Sequence, residues 1–361
     1  MRIQPATDST LLASLKRIAP GTTIREGIDD IIRAQLGALI VVGEPSRLSF
    51  LFSGGMRLDV PLTAQHLYEL AKLDGAIIID SAMTRLVYAN VQLMPDPKIP
   101  SAESGTRHRT AERVAKQTDA LLISISQQRE TVTLFLGDHR YQLGLISDVL
   151  ARMNQALATL GTYRQRHDHA LTRLTALEFR GAAALDDVLV VLQRAELATR
   201  MAEEIEASCA ELGQEGRLVR LQLEDLMDGV PREKAAVIFD YVAESEPGRA
   251  MGVLEQLGKL SFAEIFDLPK IVELLGHGGE ASPADVPVEP RGFRVLSRIP
   301  RLPEGIVRQV VRDLGCLSAI LEASHQDLER VEGVGAVRAR EIREGLRRLQ
   351  EQNVLDWHLQ P

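Results

Sequence analysis

Two short segments set chemistry-bearing residues side by side. Asp74-Gly75-Ala76 opens the apolar run Ala76-Ile-Ile-Ile-Asp80, and Thr106-Arg107-His108-Arg109-Thr110 stands just ahead of a helical pattern over 109–117. A carboxylate at the mouth of a strand can hold a divalent ion or accept the proton of a sugar hydroxyl. The glycine beside it lets a nucleotide lie against bare backbone. At the second segment, a helix start offers free N–H groups and the positive end of the dipole, both of which favour an anion. Ser104 or Thr106 is expected to cap that helix. Arg107, His108 and Arg109 add cations where the dipole disfavours them, and a bound anion would offset that cost. Taken singly, the first segment also reads as a plain Asp-Gly turn and the second as a solvated basic run. Taken together they meet the needs of a nucleoside triphosphate.

Other motifs narrow the chemistry. Gly252-Val-Leu-Glu-Gln-Leu-Gly258-Lys259 has five residues between its glycines, and Leu260 stands where a Walker loop has its Ser or Thr metal ligand. It reads instead as a helix end. There is no G-x-G-x-x-G after a strand, no H-E-x-x-H and no G-x-S-x-G. His167 and His169 are two residues apart and point away from each other on a helix. Dehydrogenase and metal-hydrolase chemistry fall away.

The 361 residues exceed one ordinary core, and 45% hydrophobic with 25% charged residues is globular composition. A net charge of −8 gives no bulk attraction to nucleic acid, so any DNA contact must be local. Cys209 and Cys316 are isolated, which excludes a cysteine-rich zinc cluster and suits a reducing compartment. No apolar run approaches the ~18 residues that span a bilayer. A soluble cytoplasmic protein without membrane contact is expected.

Residues 1–145 read as an α/β domain. Helical patterns at 11–18, 27–36 and 64–73 alternate with apolar runs at 37–43, 48–52, 76–80, 120–126 and 131–136. Continuous β-branched and Leu runs suit strands buried on both faces, and the last two should pair as a hairpin in a mixed sheet. Over 146–275 strand signals stop. Leu185, Val188, Leu189 and Leu192 begin an amphipathic stripe that Met201 and Ile205 resume, with breaks expected at Gly161, Gly181, 213–216, 229–231 and Pro247-Gly248. This region reads as a helical spine. Residues 276–292 are rich in Gly and Pro and read as a flexible linker.

A helical tail follows over 293–361. Leu328-Glu-Arg-Val-Glu-Gly-Val-Gly-Ala-Val-Arg-Ala-Arg-Glu-Ile342 matches a helix-hairpin-helix pattern. Its hairpin Gly333-Val334-Gly335 offers backbone N–H groups to a DNA phosphate, Ala339 permits a close helix crossing, and Arg338, Arg340 and Arg343 can reinforce the contact. A degraded second copy spans 299–321, with Leu302-Pro-Glu-Gly305 as its hairpin. Residues 295–361 hold ten Arg and ten Asp or Glu, so weak, structure-selective binding is expected.

The order Asp74-Gly75-Ala76, Asn90-Val-Gln-Leu-Met-Pro-Asp-Pro97, Gly105-Thr-Arg-His-Arg-Thr-Ala-Glu-Arg113, helical spine and hairpin tail resembles the DNA integrity scanning family of bacterial diadenylate cyclases. That resemblance implies condensation of two ATP into cyclic di-AMP and two pyrophosphates, aided by Mg²⁺ or Mn²⁺. It implies that Asp74 positions the metal or activates the ribose 3′-hydroxyl. Gly75, Ala76 and Leu93 would line the nucleotide, with Leu93 beside adenine. Thr106, Arg107, His108, Arg109 and Thr110 would bind the triphosphate, with Ser126 a further contact at a strand end. It also implies a homo-octamer with cyclase domains face to face, sensing of branched DNA that suppresses cyclisation, and association with the nucleoid. Each 3′-oxygen must attack the other nucleotide's α-phosphorus, so one domain alone should be inactive. The competing reading is a DNA-junction sensor that binds ATP without cyclising it.

Overall fold

The computed structural model describes residues 9–243, 247–278 and 282–359. It resolves into two compact units, Met1–Gln155 with Glu204–Gln222, and Ala156–Glu203 with Leu223–Pro361.

The first unit is built on one mixed sheet. Its strands are β1 (Ala38–Val42), β2 (Phe52–Ser53), β3 (Met56–Pro61), β4 (Ala76–Ile79), β5 (Arg85–Leu93), β6 (Leu121–Ser126), β7 (Thr131–Leu136) and β8 (His139–Gln142). They lie in the order β2-β5-β4-β1-β6-β7-β8, and β3 also pairs with β5. β1 and β4 are parallel, with Leu39 opposite Ala76, and the other pairings are antiparallel. Helices α1 (Ser9–Arg17), α2 (Thr23–Arg33), α3 (Pro45–Leu48), α4 (Ala64–Leu70) and α5 (Thr106–Gln117) complete its N-terminal part.

Every residue of β1 and β4 is buried because both faces of the sheet are covered. Successive side chains point to opposite faces. Ile40, Val42, Ile77, Ile79 and Ile123 pack with Leu15, Ile28, Ile31 and Leu67 of α1, α2 and α4. Leu39, Val41, Ala76, Ile78 and Leu122 pack instead with Ala111, Val114 and Ala115 of α5. Each such large side chain contributes roughly 1.5–3 kcal/mol on burial, so the alternation pins the register strongly.

Four sequence expectations change here. The run at 48–52 is not a strand: Pro45 starts α3, Ser49–Leu51 forms a 3₁₀ turn, and only Phe52 and Ser53 pair with β5. The capping of α5 differs, because Gly105 is its N-cap with no side-chain bond and Thr106 is already helical. Gly161 breaks nothing, since it lies inside a 34-residue helix whose packing outweighs the ~1 kcal/mol cost of one glycine. The segment 276–292 is anchored where it is described. Leu185 N donates to Val286 O at 2.9 Å and Val288 N to Ala183 O at 3.0 Å.

The chain continues as α6 (Ile146–Phe179), α7 (Leu185–Leu212), α8 (Arg217–Met227), α9 (Val230–Tyr241), α10 (Pro247–Lys259), α11 (Phe262–Ile265), α12 (Leu268–Leu275), α13 (Phe293–Ser297), α14 (Glu304–Leu314), α15 (Leu317–Glu322), α16 (His325–Glu329) and α17 (Ala336–Leu359). In the first unit, buried Glu211 of α7 accepts bonds from the Tyr141 hydroxyl at 2.8 Å and Gly144 N at 2.7 Å. Burial and then this carboxylate push the tyrosine's ionisation upward.

The second unit has two apolar centres, one among α6, α7, α9, α10 and α12 and one within 293–349 joined by Phe179. Between them lies a buried polar cluster. Asp240 caps α13, accepting from Gly292 N, Phe293 N and Arg294 N at 2.8, 2.6 and 3.0 Å. The fully buried Arg294 pairs with Glu178 and donates to Thr175 Oγ1 at 2.9 Å, while Tyr241 donates to Glu178 at 2.7 Å. Removing one partner of a buried pair strands the other's charge. Arg294→Ala should therefore lower the stability of this unit by about 3–5 kcal/mol in denaturant unfolding, and a loss below about 1 kcal/mol would contradict the reading.

Candidate functional site

Sheet register gathers the candidate residues at one edge. With Leu39 opposite Ala76 in the parallel pair, β1 and β4 start at the same edge, so Gly37 just before β1 and Asp74-Gly75 just before β4 both lie at that edge. In the antiparallel pair Ala38 faces Ile125, so β6 brings its last residue, Ser126, to the same edge. Ala76 faces Val91 of β5, which carries Leu93 there too. The starts of two strands and the ends of two others thus share one rim, and α5 begins above it.

Gly75 occupies the left-handed region at φ 97°, and a Cβ there would sit 2.9 Å from Asn90 C and 3.0 Å from Val91 N. Only glycine fits this approach of backbone to backbone. Opposite it, β5 carries a bulge, and Asn90 itself adopts φ 55°. The Asp74 carboxylate is exposed and engaged by no hydrogen bond or ion pair among the described residues. Leu93 is buried in the layer beneath α5 and faces Phe52 of β2, whose ring meets Tyr88 edge-on at 5.6 Å. An apolar wall therefore flanks the carboxylate on the β5 side.

The N-terminus of α5 presents the N–H groups of its first turn with no acidic residue to occupy them. Arg107 leaves the helix towards Gly37, where a Cβ would collide with its guanidinium at 2.2 Å. The absent side chain at Gly37 is what makes room for that arginine beside Asp74's strand. Arg107 has no ion-pair or hydrogen-bond partner among the described residues. Arg109 differs: its guanidinium donates to Glu103 O at 3.3 Å and Ser104 O at 3.2 Å, so it holds the loop that leads into α5. Thr106 is exposed and Thr110 half-buried one turn on.

His108 is the member that turns inward. Its Nδ1 lies 3.2 Å from Ser124 Oγ on β6, and its ring meets Phe135 of β7 edge-on at 6.2 Å. Burial holds its imidazole below the ordinary value of 6.5, Arg140, Arg129 and Arg107 add to that, and Glu103 opposes it. A histidine shifted downward contributes its full stability above pH 6.5 and loses it as pH falls towards the folded midpoint. Near neutrality His108 is therefore uncharged, and Arg107 is the cation left free at the α5 start.

Ser126 closes the β6–β7 turn, its hydroxyl accepting from Arg129 N at 3.3 Å. Several residues were not singled out by their sequence. Glu112 accepts from Ser101, from Ala102 N at 3.1 Å and from Lys116 Nζ at 2.8 Å. Arg113 donates to Ile99 O at 2.9 Å, and Gln117 accepts from Asp96 N at 3.1 Å. Together they lay the loop 96–104 along α5. A hint was present, because polar residues three and four apart on α5 form a stripe opposite Ala111, Val114 and Ala115.

In the tail, Gly333 adopts φ 83° between α16 and α17, and a Cβ there would meet Ile306 at 2.8 Å. Val334 is buried, Gly335 is open to solvent, and Ala339 is fully buried at the crossing. Arg340 is exposed, whereas Arg338 donates to Gly333 O at 2.6 Å and Arg343 to Ala323 O at 2.7 Å. The earlier turn between α13 and α14 has the same spacing, but its left-handed residue is Arg301 at φ 63° rather than any residue of 302–305. Pro303 stands there where Gly335 stands in the later turn.

Comparison with known proteins agrees with this architecture. Residues 25–140 match the family described as DisA bacterial checkpoint controller nucleotide-binding, and residues 143–283 match DisA bacterial checkpoint controller linker region. The DNA integrity scanning protein DisA of Carboxydothermus hydrogenoformans is 46% identical over 96% of this chain and 98% of its own length. That of Symbiobacterium thermophilum is 46% identical over 96% of this chain and 97% of its own, and that of Bacillus pumilus 45% identical over 98% of each. Near-complete coverage at this identity, on a sheet rim carrying Asp74 and a cationic helix start, leaves one conclusion: the chain belongs to the DNA integrity scanning family of bacterial diadenylate cyclases.

Proposed function

We propose that this rim is the half-site of a diadenylate cyclase and that two such rims face each other across an interface between copies. The observation that carries it is the meeting, at one sheet edge, of an unengaged carboxylate on Asp74 with the free N–H groups and unpaired Arg107 of α5. One ATP would lie with its triphosphate on Thr106, Arg107, His108, Arg109 and Thr110, its adenine towards Leu93, and its ribose over Gly75 and Ala76. Ser126 borders the phosphates from the end of β6. Asp74 would accept the proton of the 3′-hydroxyl.

That 3′-oxygen attacks the α-phosphorus of the facing ATP, the bond to the bridging oxygen breaks, and pyrophosphate departs with the electron pair. Repetition in the opposite sense closes the ring. Among the described residues no cluster of three or more His, Cys, Asp or Glu is built to hold a metal. A single carboxylate plus phosphate oxygens is the environment Mg²⁺ favours, and Mn²⁺ accepts it too. Bound by Asp74 and substrate, that ion would supply charge neutralisation on the phosphates. The chain's own groups orient the triphosphate and stabilise charge on the leaving group.

Within this reading, 1–145 is the cyclase domain, 146–275 the spine that mediates assembly into an octamer, 276–292 the connection and 293–361 a helix-hairpin-helix DNA reader. The later turn supports that role through the open Gly335 and exposed Arg340. The earlier one supports it poorly, since Pro303 has no N–H to donate. No helix among the described residues is long and apolar enough to cross a membrane. A cytoplasmic protein working on nucleoid DNA fits.

Incubating purified Asp74→Asn protein with ATP and Mn²⁺ should give no cyclic dinucleotide while gel filtration and ATP binding are retained. Undiminished turnover would remove Asp74 from the reaction, and ATP binding with no turnover at all by the native chain would favour a sensor that only binds ATP. For the tail, truncation at 293 would strip Arg294 from Glu178, so substitution is the cleaner probe. Arg340→Ala should weaken branched-DNA binding and reduce the salt slope by about one; an unchanged slope would place the phosphate contact elsewhere.

A further inference from the structure

Ser124 is a buried hydroxyl on a largely apolar face, with Thr133, also buried, its hydroxyl neighbour across the strand pair on β7. Ser124 is fully buried on β6, two residues from Leu122, beneath the α5 side of the sheet. A hydroxyl at such a position costs stability unless it is hydrogen-bonded, and the partner it meets is His108 Nδ1 at 3.2 Å. Phe135 meets the same imidazole edge-on, so the ring is fixed both in place and in rotation.

We infer that Ser124 is a positioning residue for cyclisation: its hydroxyl donates to His108 Nδ1 and thereby fixes the Nε2–H tautomer, leaving Nε2–H as an uncharged donor to the nucleotide's phosphates. The direction of that bond follows from what lies on the other side of the ring. Were Nδ1 to carry the proton, a lone pair on Nε2 would face the phosphate oxygens, which are themselves acceptors only. With the hydroxyl donating inward, the ring turns a donor outward.

The charged groups around the ring agree with a neutral imidazole. Arg107 on α5, Arg129 in the β6–β7 turn and Arg140 on β8 disfavour a further positive charge, and Glu103 in the preceding loop, which pairs with Arg140, is the acid that opposes them. His108 then contributes direction and Arg107 contributes charge.

This inference rests on the proposed placement of the triphosphate at α5, and a double-mutant cycle keeps the two apart. In Ser124→Ala, imidazole nitrogen NMR of His108 should change from the single Nε2–H tautomer to a mixture. The kcat should fall about tenfold, the size of one lost neutral hydrogen bond, with little change in KM for ATP. The acid limb of the kcat profile should move. Ser124→Thr, which keeps the hydroxyl, should restore the single tautomer and most of the rate. Adding Ser124→Ala to His108→Ala should cost nothing further. If His108→Ala is impaired while Ser124→Ala keeps the native tautomer, pH profile and rate, or if the two losses simply add, the positioning role is overturned. If His108→Ala itself turns over normally, the placement of the triphosphate fails first.

Discussion

The parallel pairing of β1 with β4 is the constraint on which the site depends. Their residues alternate between two apolar layers, so a slip of one residue would turn Ile40 and Ile77 out of the layer under α2 and put Leu39 and Ala76 in their place. The same register starts both strands at one edge, where Asp74 precedes β4 and Gly37 precedes β1, and Gly37 makes room for Arg107. The carboxylate lies at this edge because two hydrophobic faces fix the strand it precedes, and the cation reaches the edge from α5 through the space that Gly37 leaves. No direct bond between them is needed.

The α5 region adds a division of labour that residue type conceals. Arg107, His108 and Arg109 look like a uniform cationic run, yet they point to three environments. Arg109 holds the incoming loop by its carbonyls, His108 turns under the helix onto Ser124, and Arg107 stays free. Glu112, Arg113 and Gln117 then bind that loop along the helix. The loop that leads to the positive helix end is thus clamped along α5, which in the proposed function lowers the ordering cost of binding.

Much of this was readable in the chain. The runs at 76–80, 120–126 and 131–136 are strands because continuous β-branched sequence has few other ways to be buried, whereas 106–110, read as lying ahead of the helix, forms its first turn. The central strand β5 was not readable as a strand. Arg85–Leu93 mixes exposed, half-buried and buried positions around a bulge at Asn90, so neither strict alternation nor a continuous apolar run appears. Ser124 was invisible for a similar reason, since a serine within Leu-Ile-Ser-Ile looks like a tolerated polar residue until the fold sets a histidine against it. The later tail turn was legible through Gly333-Val334-Gly335. The earlier one was misplaced, because a left-handed Arg301 carries no glycine signal.

The central claim is that each half-site supplies the nucleophile to its neighbour and the phosphate cradle to its own ATP. It is tested most directly by co-expressing Asp74→Asn and Arg107→Ala protomers with different tags and isolating the mixed assembly. One attack then has both an intact Asp74 and an intact facing Arg107, and the return attack has neither. The mixed assembly should release one pyrophosphate and accumulate the linear dinucleotide, a product neither variant forms alone. Full cyclic product, or no linear product at all, would contradict the account.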